Sequence, residues 1–226
     1  MHCRLRPKLD GPACGGITIA YPFWLAGAHP PECGYQGFQV ACDRGVASLK
    51  NSFWTYRILN ISYNDSSFRV TNVDLSNGIC DVGMFVNASA DLALAPFKIS
   101  PRNQELFFLY GCDWQRQPLM PRSWAPVSCA TNDSTDSFAR LAGEYRRDGI
   151  WMPLPGNCTV SMRPVLGYDG AAAADYQRLM KGGFLLEYAV VDCNDCTASG
   201  GRCRVHPSDD AFECHCPDDV YPVICG

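Results

Sequence analysis

"CGGITIAYPFWLAGAHPPECGYQGFQVAC", residues 14–42, sets Cys14, Cys33 and Cys42 and the rings of Tyr21, Phe23, Trp24, Tyr35 and Phe38 among glycines and prolines. Pro22 has no N–H to give to a β-ladder, so Tyr21-Pro22-Phe23-Trp24 belongs at a strand start or a sheet edge. Two readings compete. In the packing reading, Phe23 and Trp24 plug a small core beside a disulfide. In the binding reading, Trp24, Tyr35 and Trp54 stay partly exposed, because a flat ring docks the C–H face of a pyranose while its hydroxyls meet nearby polar groups. The cysteines decide between a corner and a wider surface: bridges among Cys14, Cys33 and Cys42, or to Cys3, pin the stretch as a corner, and long-range bridges do not.

Outward from this stretch, the 226 residues hold fourteen cysteines: Cys3, Cys14, Cys33, Cys42, Cys80, Cys112, Cys129, Cys158, Cys193, Cys196, Cys203, Cys214, Cys216 and Cys225. An even number at this density is read most economically as seven disulfides. Five N-x-[ST] sequons, at Asn60, Asn64, Asn87, Asn132 and Asn157, point the same way. Disulfides persist in oxidising compartments, so a secreted or cell-surface chain is expected. No apolar run approaches the ~20 residues of a membrane span. The opening "MHCRLRPKLD" lacks the apolar stretch of a signal peptide, as expected of an ectodomain trimmed from a longer chain or of a mature secreted protein given an initiating Met. The net charge of −4 offers no global basic field, which argues against a nucleic-acid partner.

Trp54 to Val73 reads as two strands joined by the polar turn Asn64-Asp65-Ser66-Ser67. If Asn60 carries a glycan, alternation turns Leu59, Ile61 and Tyr63 inward, facing Phe68 and Val70. Further strands are expected at Gln39–Cys42, Gly83–Val86, Leu106–Tyr110, Cys158–Pro164 and Phe184–Asp192, the last apolar on both faces and therefore central. Two helices are expected. One runs from Asp136 to Arg147, with Asp136 as N-cap and Phe138, Leu141 and Tyr145 on one face. The other runs from about Gly170 to Lys181, after Asp169 and through four alanines, and stops at Gly182-Gly183. The fold class is thus mainly β with two short helices, disulfide-rich, in two small modules that meet near Cys112: residues 1–111 and 112–226.

From about residue 193 the chain becomes "CNDCTASGGRCRVHPSDDAFECHCPDDVYPVICG", whose few apolar residues cannot build a core without cross-links. Six cysteines allow fifteen connectivities, and spacing does not choose among them. Zinc is the rival reading for Cys193-x2-Cys196 and Cys214-His215-Cys216, weakened because one pair is C-x-C rather than C-x2-C. No EF-hand loop is present. His2, His29, His206 and His215 lie in loop-like or cysteine-rich context outside any nucleophile or metal motif. No catalytic residue, metal or cofactor is assigned.

Cys14-Gly15, Ile19 with Tyr21-Pro22-Phe23-Trp24, Cys33-Gly34-Tyr35, Phe38-Gln39-Val40 and Cys42 together resemble the galacturonan-binding module of plant wall-associated receptor kinases and their leaf-rust-resistance-like relatives. "LFFLYGC", "NCTVSMRPV", "GGFLLEY" and "CNDCTASGGRC…FECHC" resemble the C-terminal module that follows it in those receptors. The resemblance implies an extracellular recognition domain on the apoplastic side of the plasma membrane. A membrane span and a kinase would follow Gly226, and the ectodomain itself would have no enzymatic role. The tail also resembles an EGF-like module, which implies Cys193–Cys203, Cys196–Cys214 and Cys216–Cys225. Its implied partners are pectin or an oligogalacturonide, or an apoplastic protein ligand, with a co-receptor. A galacturonan binder wants cations spaced along a groove, since Arg matches a carboxylate bidentately. Candidates are Arg4, Arg6 and Lys8 in "CRLRPK", and Arg140, Arg146 and Arg147. The alternatives are a protein-binding receptor or decoy without carbohydrate affinity, and a secreted carbohydrate-active enzyme.

Overall fold

The computed structural model describes residues 13–50, 55–72, 96–112, 124–127, 136–145 and 159–226. Strands dominate, and the chain divides into two compact units: Met1–Phe68 with Tyr188–Gly226, and Arg69–Glu187.

In the first unit, β1 (Ala13–Cys14) and β2 (Ile17–Thr18) pair antiparallel across Gly15-Gly16. Gly15 has φ +60°, and a Cβ there would collide with the Gly45 carbonyl, so this turn demands glycine. The second turn, Arg44-Gly45, also has both residues at positive φ, the geometry that matches strand twist in a two-residue hairpin. It joins β4 (Gln39–Asp43) to β5 (Val46–Lys50), with Asp43 opposite Val46. The short β3 (Trp24–Leu25) runs parallel to β4, and β6 (Thr55–Ser62) runs antiparallel to β5. Pro22 thus sits just ahead of a strand that begins at Trp24, behind a cis Tyr21-Pro22 bond.

Phe23 is the hub of this unit's core. It is fully buried, with the rings of Phe38, Phe68, Tyr188 and Tyr63 at 5.1, 5.2, 5.5 and 6.3 Å, all close to edge-on. Edge-to-face rings at these distances add to the burial of their area. Cys14–Cys42 closes the strand region covalently, and Cys33 is disulfide-bonded as well. The Cys14–Cys42 bridge thus ties the two ends of the opening stretch to each other.

The tail completes the first unit. A short helix, Asn194–Ala198, precedes the antiparallel sheet of β14 (Arg202–Val205), β15 (Phe212–His215) and β16 (Val220–Tyr221). The bridges are Cys193–Cys203, Cys196–Cys214 and Cys216–Cys225, the pairing that the EGF-like resemblance implied. Cys196, Cys203, Cys214 and Val205 are buried, and Tyr21 packs with them. Sulfur replaces the aliphatic core that this composition cannot supply.

In the second unit, β10 (Trp124–Pro126), β11 (Asp136–Glu144), β9 (Gln104–Cys112) and β12 (Thr159–Val165) form an antiparallel sheet in that order. Leu106, Phe108, Ala139 and Val165 meet Tyr176, Leu179 and Met180 of the helix Tyr176–Gly182 beneath it. β13 (Phe184–Glu187) lies between β7 (Ser67–Asn72) and β8 (Lys98–Ile99), central as its apolar run requires. Asn103 ties this region together: its Nδ2 donates to the Ser100 and Leu185 carbonyls, and its Oδ1 accepts from the Leu185 amide, all at 2.8 Å.

Several expectations need correction. Asp136–Arg147 is not a helix: its described part, residues 136–145, forms strand β11 through Glu144. Ser137, Phe138 and Ala139 are buried in succession, as a strand covered on both faces requires. Pairing with β9 and β10 outweighs the helical spacing of Phe138, Leu141 and Tyr145. The later helix starts at Tyr176, after a 3-10 turn at Ala173–Asp175, rather than at Gly170. Asp175, not Asp169, organises its start by accepting from the Ala172 amide at 2.9 Å. The strand from Phe184 ends at Glu187, not Asp192; the Tyr188 amide instead bonds the Ser66 carbonyl at 3.0 Å. On β6 the buried side chains are Tyr56 and Ile58, while Leu59, Ile61 and Tyr63 are half-buried. Phe68 and Val70 are buried as expected. Gly83–Val86 lies outside the described residues.

Candidate functional site

The aromatic corner brings together two predicted site residues. Trp24 is 7% exposed, and its indole Nε1 donates to the Tyr35 carbonyl at 2.9 Å. Its ring is therefore covered, as in the packing reading. Gly34 makes the approach close: a Cβ there would run into the Pro22 carbonyl and lie 2.9 Å from Trp24 Cδ1. Tyr35 is half-buried, its ring 5.7 Å from Phe38 and 6.0 Å from Tyr21. The Tyr21 hydroxyl donates to the Val191 carbonyl at 2.9 Å and lies 3.2 Å from the Tyr35 hydroxyl, while its ring meets Phe212 edge-on at 6.2 Å. Burial pushes the Tyr21 phenol far above its ordinary range, and the Tyr35 hydrogen bond adds to that. These contacts hold the tail against the corner, 170 residues away in sequence.

Arg140 belongs to the second unit, half-buried on β11 opposite Trp124 and Phe107. Arg4, Arg6, Lys8, Trp54, Arg146 and Arg147 lie outside the described residues, as do Asn87, Asn132 and Asn157. Asn60 and Asn64 are exposed, a glycan's requirement.

The tail sheet presents a different surface, which the candidate residues missed. Strand alternation sends Cys203 and Val205 inward and leaves Arg202 and Arg204 on the outer face. Arg202 pairs in register with His215, and Arg204 with Glu213. Beside them lies a groove of about 370 Å³ lined by Gly200, Arg202, Arg204, His215, Cys216 and Pro217. Arg204 Nη1 is 3.1 Å from Glu32 Oε1, and His215 Nε2 is 2.7 Å from Glu213 Oε2. Arg202 has no ion pair or side-chain hydrogen bond among the described residues. Gly201, between the lining residues Gly200 and Arg202, packs directly on the disulfides, because a Cβ there would strike Cys214 Sγ and come within 2.8 Å of Cys196 and Cys225 Sγ. The signal was legible: "RCRV" alternates cation and buried residue over one strand.

Two clusters invite chemistry and do not support it. The sulfurs of Cys214, Cys216 and Cys225 lie within 4.8 Å of one another, but they belong to two disulfides and are not thiolate ligands. Ser208 Oγ and Asp209 Oδ1 approach His206 at 3.0 and 3.1 Å, yet both meet the same Nδ1. A proton relay needs one ring nitrogen for each partner.

Comparison with known proteins agrees with this architecture. Residues 8–72 match the wall-associated receptor kinase galacturonan-binding family, and residues 128–219 match the wall-associated receptor kinase C-terminal family. The chain is 31% identical over 215 residues to the Arabidopsis thaliana leaf rust 10 disease-resistance locus receptor-like protein kinase-like 1.2, covering 91% of this chain and 32% of that protein. Its similarity to the Arabidopsis thaliana relative designated like 2.5 is 22% over 221 residues, covering 89% and 32%. No solved structure gives a significant match. These matches define an ectodomain-type chain that spans about a third of the relatives' length, and neither matched family is that of a kinase domain. The two matched segments make this a wall-associated-receptor-kinase-like ectodomain. No helix among the described residues is long and apolar enough to cross a membrane.

Proposed function

We propose that this chain is the ligand-recognition ectodomain of a plant receptor-like kinase and that it senses pectin fragments in the apoplast. The match of residues 8–72 to the galacturonan-binding family carries the reading. The outward-facing cations on the tail and the exposed sequons Asn60 and Asn64 support it. The ectodomain does no chemistry of its own. Occupancy shifts receptor association with a co-receptor, or the orientation of the two sequence modules 1–111 and 112–226, towards a signalling state in plant defence. Titration of the deglycosylated domain with oligogalacturonide at low and moderate salt tests this. Binding that persists at moderate salt supports pectin recognition. Binding abolished by modest salt indicates ion exchange, and no binding at low salt removes the pectin ligand in favour of a protein one.

A further inference from the structure

We infer that the groove on the outer face of the tail sheet is a carboxylate subsite for an acidic sugar, with Arg202 as its anion-binding group and Arg204 and His215 as its walls. The inference rests on the pectin reading above and adds a location that lies outside the segment matched to the galacturonan-binding family.

Three observations converge. Arg202 presents a guanidinium with no partner among the described residues, on the same strand face as a second cation two residues on. Neighbouring like charges repel, and an anion between them relieves the repulsion. The groove is also covalently braced. Its lining residue Cys216 is bridged to Cys225, and Arg204 is anchored by Glu32 from the 3-10 turn Pro31–Cys33. Finally, Gly200 and Pro217 give it a surface without branched or charged side chains, on which the C–H face of a pyranose can lie while its carboxylate reaches Arg202. The planar guanidinium fork pairs bidentately with a carboxylate, the charged group of an acidic sugar. Glu32 and Glu213 hold their own partners and offset part of the positive field, so the subsite supplies one strong contact rather than a basic patch.

The test compares the wild-type domain with Arg202→Gln and Arg57→Gln, the latter removing an equally exposed charge on β6. Each is titrated with oligogalacturonide and with its methyl ester at one fixed salt concentration. Arg202→Gln is expected to weaken binding of the acid at least five-fold, Arg57→Gln less than two-fold, and the methyl ester to bind weakly to all three. If Arg202→Gln binds as the wild type does, the groove assignment falls and the pectin reading stands. If both variants weaken binding equally, the attraction is diffuse and the groove assignment falls. If the wild type binds neither sugar, both fall. Arg202 is exposed and its side chain has no ion pair or hydrogen bond among the described residues, so its variant keeps the fold; non-reducing peptide mapping of each protein confirms it.

Discussion

Replacing Tyr21 tests whether the tail and the opening stretch fold as one body. Its ring is 8% exposed and is shared between the two, against Tyr35 on one side and Phe212 and the Cys193–Cys203 region on the other. Tyr21→Phe keeps the ring and removes only the hydroxyl that serves the Val191 carbonyl and the Tyr35 hydroxyl. Val191 is 42% exposed, so water replaces part of the lost bond, and the expected cost is about 1 kcal/mol. Tyr21→Ala also removes the ring from a site closed by disulfides, which cannot collapse to fill the gap. By analogy with other large-to-small aromatic truncations its cost is about 3–5 kcal/mol. Urea denaturation with the disulfides intact measures both, and amide exchange in residues 202–215 reports the tail separately. The reasoning is refuted if Tyr21→Ala costs less than about 1 kcal/mol or leaves tail exchange unchanged, because the ring would then not be a shared core residue.

Alkali should expose the same core. Burial pushes Tyr188 up to about 12 from the ordinary 10.0, and pushes Tyr21 and Tyr63 higher still, with the Tyr63 hydroxyl also donating to the Thr18 carbonyl. The folded state binds these protons more tightly, so their contribution to stability is whole below pH 10 and is lost as pH climbs through about 12. Absorbance at 295 nm should show a late, cooperative tyrosine step that coincides with unfolding; one ordinary wave with the fold intact would contradict it. In the second unit, Asn103→Ala strands the Leu185 amide and leaves the Ser100 and Leu185 carbonyls with one backbone donor each, and should cost about 1–3 kcal/mol by chemical denaturation. A loss within experimental error of zero would show that this network is not buried.

What the sequence showed and hid follows from where each signal resides. Alternation placed β4, β9 and β12 within a residue or two, because one strand's inside–outside pattern is local. Phe138, Leu141 and Tyr145 have helical spacing, but the hydrogen-bonding partners that make β11 a strand lie on β9 and β10, and no local pattern names them. The tail's bridges followed from a family likeness, since spacing alone left fifteen connectivities open. Trp24 and Tyr35 looked equivalent as flat rings. Their difference arises from Gly34, which lets the Pro22 carbonyl and the indole close over one another. The outer face of β14 is legible from alternation, but its two arginines are split by buried Cys203 and do not form a local cluster of cations like that in "CRLRPK".

The claim beneath all of this is a covalent frame that lets a weakly apolar tail hold a fixed recognition surface. Non-reducing peptide mapping of the native, secreted domain, with alkylation of any free thiol, tests it most directly. The account predicts Cys14–Cys42, Cys193–Cys203, Cys196–Cys214 and Cys216–Cys225, with no label on these eight residues. Alkylated thiols at these positions in folded protein, or a bridge between Cys193 and Cys196, would contradict it.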